Sequence, residues 1–158
     1  MAGMSAHGTQ IYWLDDPAAF APANRIGEVT SVSGPTTTVD TIDVTSHDSE
    51  GWREFVAGLG DFGELRFDVN LHPAYADNNQ MDLYDDMIAG TQRYVVIEIP
   101  EDPNWTPATA EYYFWCPGYI VGFEISAPFD DKLSASLTIK LSGVPQHGSA
   151  PSAPYEGS

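Results

Sequence analysis

A single cysteine among 158 residues rules out an intrachain disulfide. With neither a CxxC pair nor a Cys/His spacing suited to zinc, the chain also offers no thiolate metal site. Cys116 ends the aromatic run Tyr112-Tyr113-Phe114-Trp115-Cys116, a setting that predicts a buried, inert thiol. Basic residues are scarce too: Lys and Arg number 6 against 23 Asp and Glu, for a formal net charge of −17. Such a chain lacks the cationic footprint that phosphates or an anionic membrane require, and its charge favours solubility and repels DNA. The sequence does not open on a basic segment followed by an apolar stretch, and no apolar run is long enough to cross a bilayer. Synthesis in a cytoplasm is expected.

What is present is ordinary globular composition, 42% hydrophobic and 18% charged, enough for one packed core. Pro and Gly, 12 and 14 in number, cut it into short pieces. The pattern predicts a mostly β, single-domain sandwich or barrel. Residues 133–141 carry the cleanest signal, with Leu133, Ala135, Leu137, Ile139 and Leu141 alternating against Ser134, Ser136, Thr138 and Lys140. Residues 65–71 repeat it, Leu65, Phe67, Val69 and Leu71 facing inward. In 119–125 the same logic points Tyr119, Val121, Phe123 and Ile125 inward. The dense apolar run 94–99 reads as a strand buried on both faces, and 111–116 as a further extended segment. Residues 25–32 and 36–44 bracket Ser33-Gly34-Pro35, which reads as a hairpin turn; 127–132 reads as a second one.

One α-helix is expected at about residues 79–89, with Met81, Tyr84, Met87 and Ile88 as its apolar stripe, Asn78 or Asn79 as its cap and Gly90 as its stop. A shorter helical turn is expected in 51–57. Residues 1–24 show no period and read as an N-terminal arm, 25–143 as the β-domain, and 144–158 as a flexible C-terminal tail.

A search for chemistry ends without a site. Ser46-His47-Asp48 places three triad residue types side by side, but neighbours in an extended chain point in different directions, and no GxSxG elbow is present. His7, His72 and His147 stand singly, without HxxxH or HExxH spacing. The stretch 77–82 has Met81 where a calcium loop needs an oxygen ligand, and no turn glycine. The pairs Asp85-Asp86 and Asp130-Asp131 read as solvated charge on a helix face and in a turn. No cofactor is implied and the chain does not read as an enzyme. Of the tryptophans Trp13, Trp52, Trp105 and Trp115, Trp115 reads as core, Trp52 and Trp105 as loop or interface anchors. Trp52, Phe55, Val56 and Leu59 make the stretch 45–63 too apolar to be an uncovered loop.

That stretch carries a resemblance. Residues 42–65, with Ser46-His47-Asp48-Ser49-Glu50-Gly51-Trp52-Arg53-Glu54-Phe55 followed by Gly58-Leu59-Gly60-Asp61-Phe62-Gly63, are similar to the signature loop and following strand of the major tail tube proteins of long-tailed, non-contractile, lambda-like bacteriophages. His7-Gly8-Thr9-Gln10-Ile11 resembles the start of that family's N-terminal arm, and Gly122-Phe123-Glu124-Ile125 through Leu141-Ser142-Gly143 its closing hairpin. The likeness spans about residues 7–143.

The resemblance implies a structural virion protein: a β-sandwich or barrel with one helix, six copies closing into a ring around a lumen, and rings stacking into the tube through which genomic DNA passes. An added immunoglobulin-like C-terminal domain is not expected. The implied partners are further copies of the chain, tape-measure and tail terminator or initiator proteins, and DNA in transient passage without sticking; no membrane is involved. Trp52, Phe55, Val56 and Leu59 are the candidate subunit-interface residues. Asp68, Glu124 and Glu64, at outward polar positions of the alternating strands, are the candidate lumen-lining residues. Two rival readings remain at this point: a carbohydrate- or ligand-binding β-sandwich that uses exposed tryptophans, and a secretion-system tube protein of the same architecture.

Overall fold

The computed structural model describes residues 9–74, 79–101, 111–149 and 151. Among them the chain runs through β1 (Gln10–Leu14), β2 (Val29–Ser33), β3 (Thr38–Asp43), β4 (Phe55–Asp61), β5 (Glu64–Asn70), α1 (Gln80–Ala89), β6 (Arg93–Ile99), β7 (Tyr112–Ser126), β8 (Ser134–Leu141) and β9 (Gln146–Gly148). The main sheet has the order β1-β6-β7-β8-β5-β2, antiparallel at every pairing, with β9 also on β7. β3 and β4 form a separate two-stranded ribbon. The fold is mostly β with a single α-helix among the described residues, and the sheet packs as a sandwich without closing into a barrel.

The alternating strands form its centre. Leu65, Phe67 and Val69 on β5 and Ala135, Leu137, Ile139 and Leu141 on β8 are all buried, paired so that Phe67 lies opposite Leu137 and Leu65 opposite Ile139. Full burial of each Leu, Ile, Val or Phe side chain among them contributes about 1.5–3 kcal/mol relative to exposure. The centre of β6 is apolar because both of its faces are covered there: Val95 belongs to the main core, Val96 to a second cluster with Tyr12, Leu14, Tyr113 and Trp115.

β7 merges the two segments expected at 111–116 and 119–125 into one strand of 15 residues. Gly118 permits this passage, since a Cβ there would stand 2.9 Å from both Ile139 Cγ2 and the Lys140 carbonyl oxygen. The first part of β7 pairs with β6 on one edge and β9 on the other, and the later part pairs with β8 on the β9 edge. The inward set expected there is partly wrong. A bulge between Ile120 and Gly122 shifts the phase, so Ile120 is buried while Tyr119 and Val121 are exposed; of the expected inward set only Phe123 packs against the core, and Ile125, opposite Ala135, is exposed.

Four other expectations are corrected. Residues 25–32 and 36–44 do not form a hairpin: β2 pairs with β5 and β3 with β4, so Ser33-Gly34-Pro35 links two sheets. Gly34 has φ +95° and would place a Cβ 2.6 Å from the Glu64 carbonyl oxygen, a position only glycine tolerates. No helical turn forms over 51–57, because Phe55 begins β4; a short 3-10 turn lies earlier, at His47–Ser49. The buried face of α1 is Gln80 and Leu83, with Met87 against the core, whereas Met81, Tyr84 and Ile88 are exposed. The reason is Gln80, a polar residue whose Nε2 donates to the carbonyl oxygens of Gly27 at 3.0 Å and Asn70 at 2.8 Å, and whose Oε1 accepts from the His72 N–H at 2.9 Å. Every polar atom of its amide is satisfied. Asn79 is left-handed and gives no side-chain cap; its Nδ2 donates instead to the carbonyls of Ala23 and Arg25. Asn78, Trp105 and His7 lie outside the described residues.

Part of the 1–24 stretch is a strand of the sheet: Ile11 and Trp13 enter the main core and Tyr12 and Leu14 the second cluster. Likewise Gln146–Gly148, within 144–158, pairs with β7. Trp13 Nε1 donates to Asp86 Oδ2 at 2.7 Å, tying β1 to α1. Cys116 is buried, and burial pushes its thiol up to about 11.

Candidate assembly surfaces

The ribbon β3–β4 leaves its apolar side chains without cover. Trp52 at its tip is 79% exposed and Leu59 on β4 84%; Val39, Ile42, Val44, Phe55 and Val56 are exposed as well. The strands pair with each other and with no strand of the main sheet. A lone two-stranded ribbon is marginal in water, so its local bonds matter. Asp61 Oδ1 accepts from the Gly63 N–H at 2.9 Å and from Lys140 Nζ at 3.4 Å, and the Gly63 bond first, Lys140 second, hold its carboxyl below the usual carboxylate range. At the tip, Asp43 Oδ1 accepts from the Thr45 N–H, Thr45 Oγ1 accepts from the Glu54 N–H, and Val44 N–H donates to the Glu54 carbonyl, each at 2.9 Å. Hydrogen bonds from Thr45 lower the Asp43 pKa. Root and tip are thus fixed while the apolar flanks face solvent. Of the four candidate interface residues, Phe55, Val56 and Leu59 lie on β4 and Trp52 in the connection that leads into it.

The polar face of the main sheet gathers the other candidates. Asp68, Ser136 and Glu124 form one cross-strand row, Arg66, Thr138 and Gly122 the next, and Glu64, Lys140 and Tyr119 a third. Glu64, Asp68 and Glu124 therefore share one surface. Ser31 and Ser33 extend it through β2. Two cations at outward positions that were not among the candidate lumen residues, Arg66 and Lys140, lie on the same face, with Arg66 3.5 Å from Glu64 and Lys140 3.4 Å from Asp61. They were legible: both sit at outward positions of the same alternating strands. Three carboxylates against two cations leave this face only slightly acidic. Much of the chain's acid lies elsewhere, at Asp40, Asp43, Asp48, Glu50 and Glu54 on the ribbon, Asp82, Asp85 and Asp86 on α1, and Asp130 and Asp131 in the β7–β8 turn.

No group of three or more His, Cys, Asp or Glu suited to a metal occurs among the described residues. No helix among them is long and apolar enough to cross a membrane.

The fold and these surfaces have counterparts. The family described as phage tail tube, TTP, lambda-like matches residues 2–148. No curated protein matches the chain. Among solved structures, a chain from the virion of a native gene transfer agent particle superposes with TM-score 0.65 at 15% identity, covering 92% of this chain and 99% of its own. The SPP1 tail tube gives 0.66 at 11% identity over 96% of this chain and 81% of its own. A chain of an extracellular contractile injection system, in its sheath/tube terminator, gives 0.66 at 13% over 92% and 98%. These likenesses show the fold. The family match, which spans nearly the whole sequence, shows that the chain belongs to the lambda-like phage tail tube proteins, structural components of the virion tail and not enzymes.

Proposed function

We propose that six copies of this chain close into a ring and that rings stack into a tail tube conducting genomic DNA, with the β3–β4 ribbon as the clamp between copies. The observation that carries this reading is the ribbon itself. Seven large apolar side chains stand uncovered on it, in a chain whose net charge of −17 opposes casual association. Surface of that kind is stable only when a partner covers it. Trp52, Phe55, Val56 and Leu59 supply the contact, and their burial works against the repulsion between like-charged copies.

The polar face of β2, β5, β8 and β7 is the proposed lumen wall, with Asp68, Glu124 and Glu64 lining it. Its slight acidity, its small hydroxyl side chains and the carboxylate beside each of its two cations suit a surface along which DNA slides. Duplex DNA carries a charge every ~1.7 Å of axis, so even one exposed unpaired cation per copy, repeated around a ring, would hold it. Tape-measure and terminator or initiator proteins are the proposed further partners. The fold is shared with injection-system chains, but the family match is to lambda-like tail tubes, which favours a phage tail over a secretion device of the same fold.

Negative-stain microscopy with sedimentation of the purified chain tests assembly. Rings or tubes of uniform bore are expected; a protein that stays monomeric at every concentration, with tail initiation complexes added, overturns the proposal.

A further inference from the structure

Among the described residues the core is covered at one end and open at the other. Gln80 on α1 bonds to Asn70, the last residue of β5, and Leu83 and Met87 pack into the core. At the opposite end of β5, around Leu65, a groove of about 470 Å³ opens. Its floor is Val95, Ile97 and Ile99 of β6 with Phe114 and Cys116 of β7, and Pro35 and Leu141 form part of its wall. These include members of the main core, so the groove is an unfinished end of that core.

Its charge is as telling as its shape. In a chain with 23 acidic residues, none of the residues lining this groove is Asp or Glu.

A matching protrusion stands at the far end of the same strands. β8 runs from Ser134, beside the β7–β8 turn, to Leu141 at the groove, a span of roughly 25 Å at about 3.3 Å per residue. In that turn Phe129 is fully exposed, flanked by the exposed Ile125 and Leu133 and by Asp130 and Asp131. Knob and groove sit at opposite ends of one rigid hairpin, so one copy cannot bring them together. A contact between unlike surfaces on two copies is heterologous, and repeated along the strand direction it builds an open stack.

We infer that Phe129 of a second copy, with its Ile125 and Leu133, seats in the groove of the first, making the axial contact of the stack. The acidic turn then enters a recess whose lining bears no carboxylate. This rests on the tube reading above but concerns a surface distinct from the ribbon.

The full chain, with Phe129 replaced by the photo-reactive p-benzoylphenylalanine, is mixed as equal parts ¹⁵N-labelled and unlabelled protein, assembled or concentrated, irradiated and digested. Mixed-isotope cross-links from position 129 to residues 95–99, 114–116 or 145–147 are expected. Cross-links into the ribbon, residues 38–61, only within one chain, or none at all overturn the inference. In parallel, Phe129→Asp should keep the wild-type melting temperature, since the side chain touches nothing in its own copy, while weakening self-association at least tenfold; Phe129→Tyr should retain it. If Phe129→Asp assembles normally while Trp52→Ala does not, the tube reading stands and this contact falls.

Discussion

Asp68 and Ser136 face each other across the β5–β8 pair, the Ser136 hydroxyl donating to Asp68 Oδ1 at 2.6 Å, while Ser31 donates to Oδ2 at 2.9 Å. One residue further along β8, Leu137 is buried against Phe67. Leu137→Asp should therefore leave an uncompensated carboxylate in the core, cost several kcal/mol and abolish folding. Ser136→Ala loses one exposed hydrogen bond and should cost less than about 1 kcal/mol. Ser136→Asp should be worse than Ser136→Ala, because it sets a second carboxylate against Asp68 on a directly opposed pair. Circular dichroism and thermal melts of the three variants check the order; equal stabilities would mean that the inward and outward faces of β8 are misassigned.

The same pair marks where this sequence is readable. β5 and β8 alternate without interruption because one face is packed and the other wet, so both core and polar face follow from period two. The phase of β7 is lost at the bulge after Ile120, one extra residue that no composition signal announces. β1 escapes notice because Ile11, Tyr12, Trp13 and Leu14 are buried on two faces at once, which erases any period. The α1 stripe misleads because Gln80, polar by type, is buried by three hydrogen bonds, while Met81 and Ile88 remain outside. The ribbon is legible as something that needs cover, through Trp52 and Leu59, and 36–44 as an extended segment, yet β4 is not legible as a strand, since both of its faces are exposed and neither selects a pattern. The candidate lumen face shows the limit of arguing from net charge: −17 describes the whole chain, but Arg66 and Lys140 offset two of the three carboxylates on this surface.

Stability should fall in alkali for reasons that can be assigned to single residues. Burial pushes the Cys116 thiol from 9.0 up to about 11, and burial followed by the Glu111 hydrogen bond pushes Tyr113 from 10.0 up to about 12. Burial first, then Glu98, raises Tyr12 further. In the unfolded chain these groups lose their protons near their ordinary values. Above about pH 9 the unfolded state therefore binds fewer protons than the folded one, and unfolding becomes easier as pH rises. No such effect is present below pH 9. Denaturant melts across pH 8 to 12 should show Cys116→Ala flattening the fall between 9 and 11, and Tyr113→Phe flattening it between 10 and 12. An unchanged slope in both variants would place the alkaline sensitivity elsewhere.

Reversing the charge of the polar face should separate assembly from conduction. Asp68→Lys with Glu124→Lys turns three carboxylates and two cations into one carboxylate and four cations, and leaves the ribbon untouched. Tubes should form as before. Virions built entirely of this variant should release DNA slowly or stall, since each added cation can displace counterions from a passing phosphate. Raising the salt concentration should partly restore release, because those contacts are screened. Normal ejection kinetics from such virions at low salt would remove Asp68 and Glu124 from the wall.

Trp52 gives the sharpest test of the ribbon. It stands at the tip, 79% exposed, beyond the bonds that Asp43, Thr45 and Glu54 make to hold the turn. Its own copy loses almost no packing when it is cut back. Trp52→Ala should then melt within about 0.5 kcal/mol of the wild type, as exposed substitutions do. If the ring is to cover it, though, it is the largest apolar group on the ribbon, and truncating a central interface tryptophan commonly costs about 2 kcal/mol or more. That loss recurs at each contact of a polymer and multiplies along its length, so the variant should remain a folded monomer excluded from tubes. Sedimentation, with microscopy of mixtures of variant and wild type, measures this directly. A variant that polymerises like the wild type would show that the ribbon is not the clamp; one that unfolds would show that Trp52 supports its own copy.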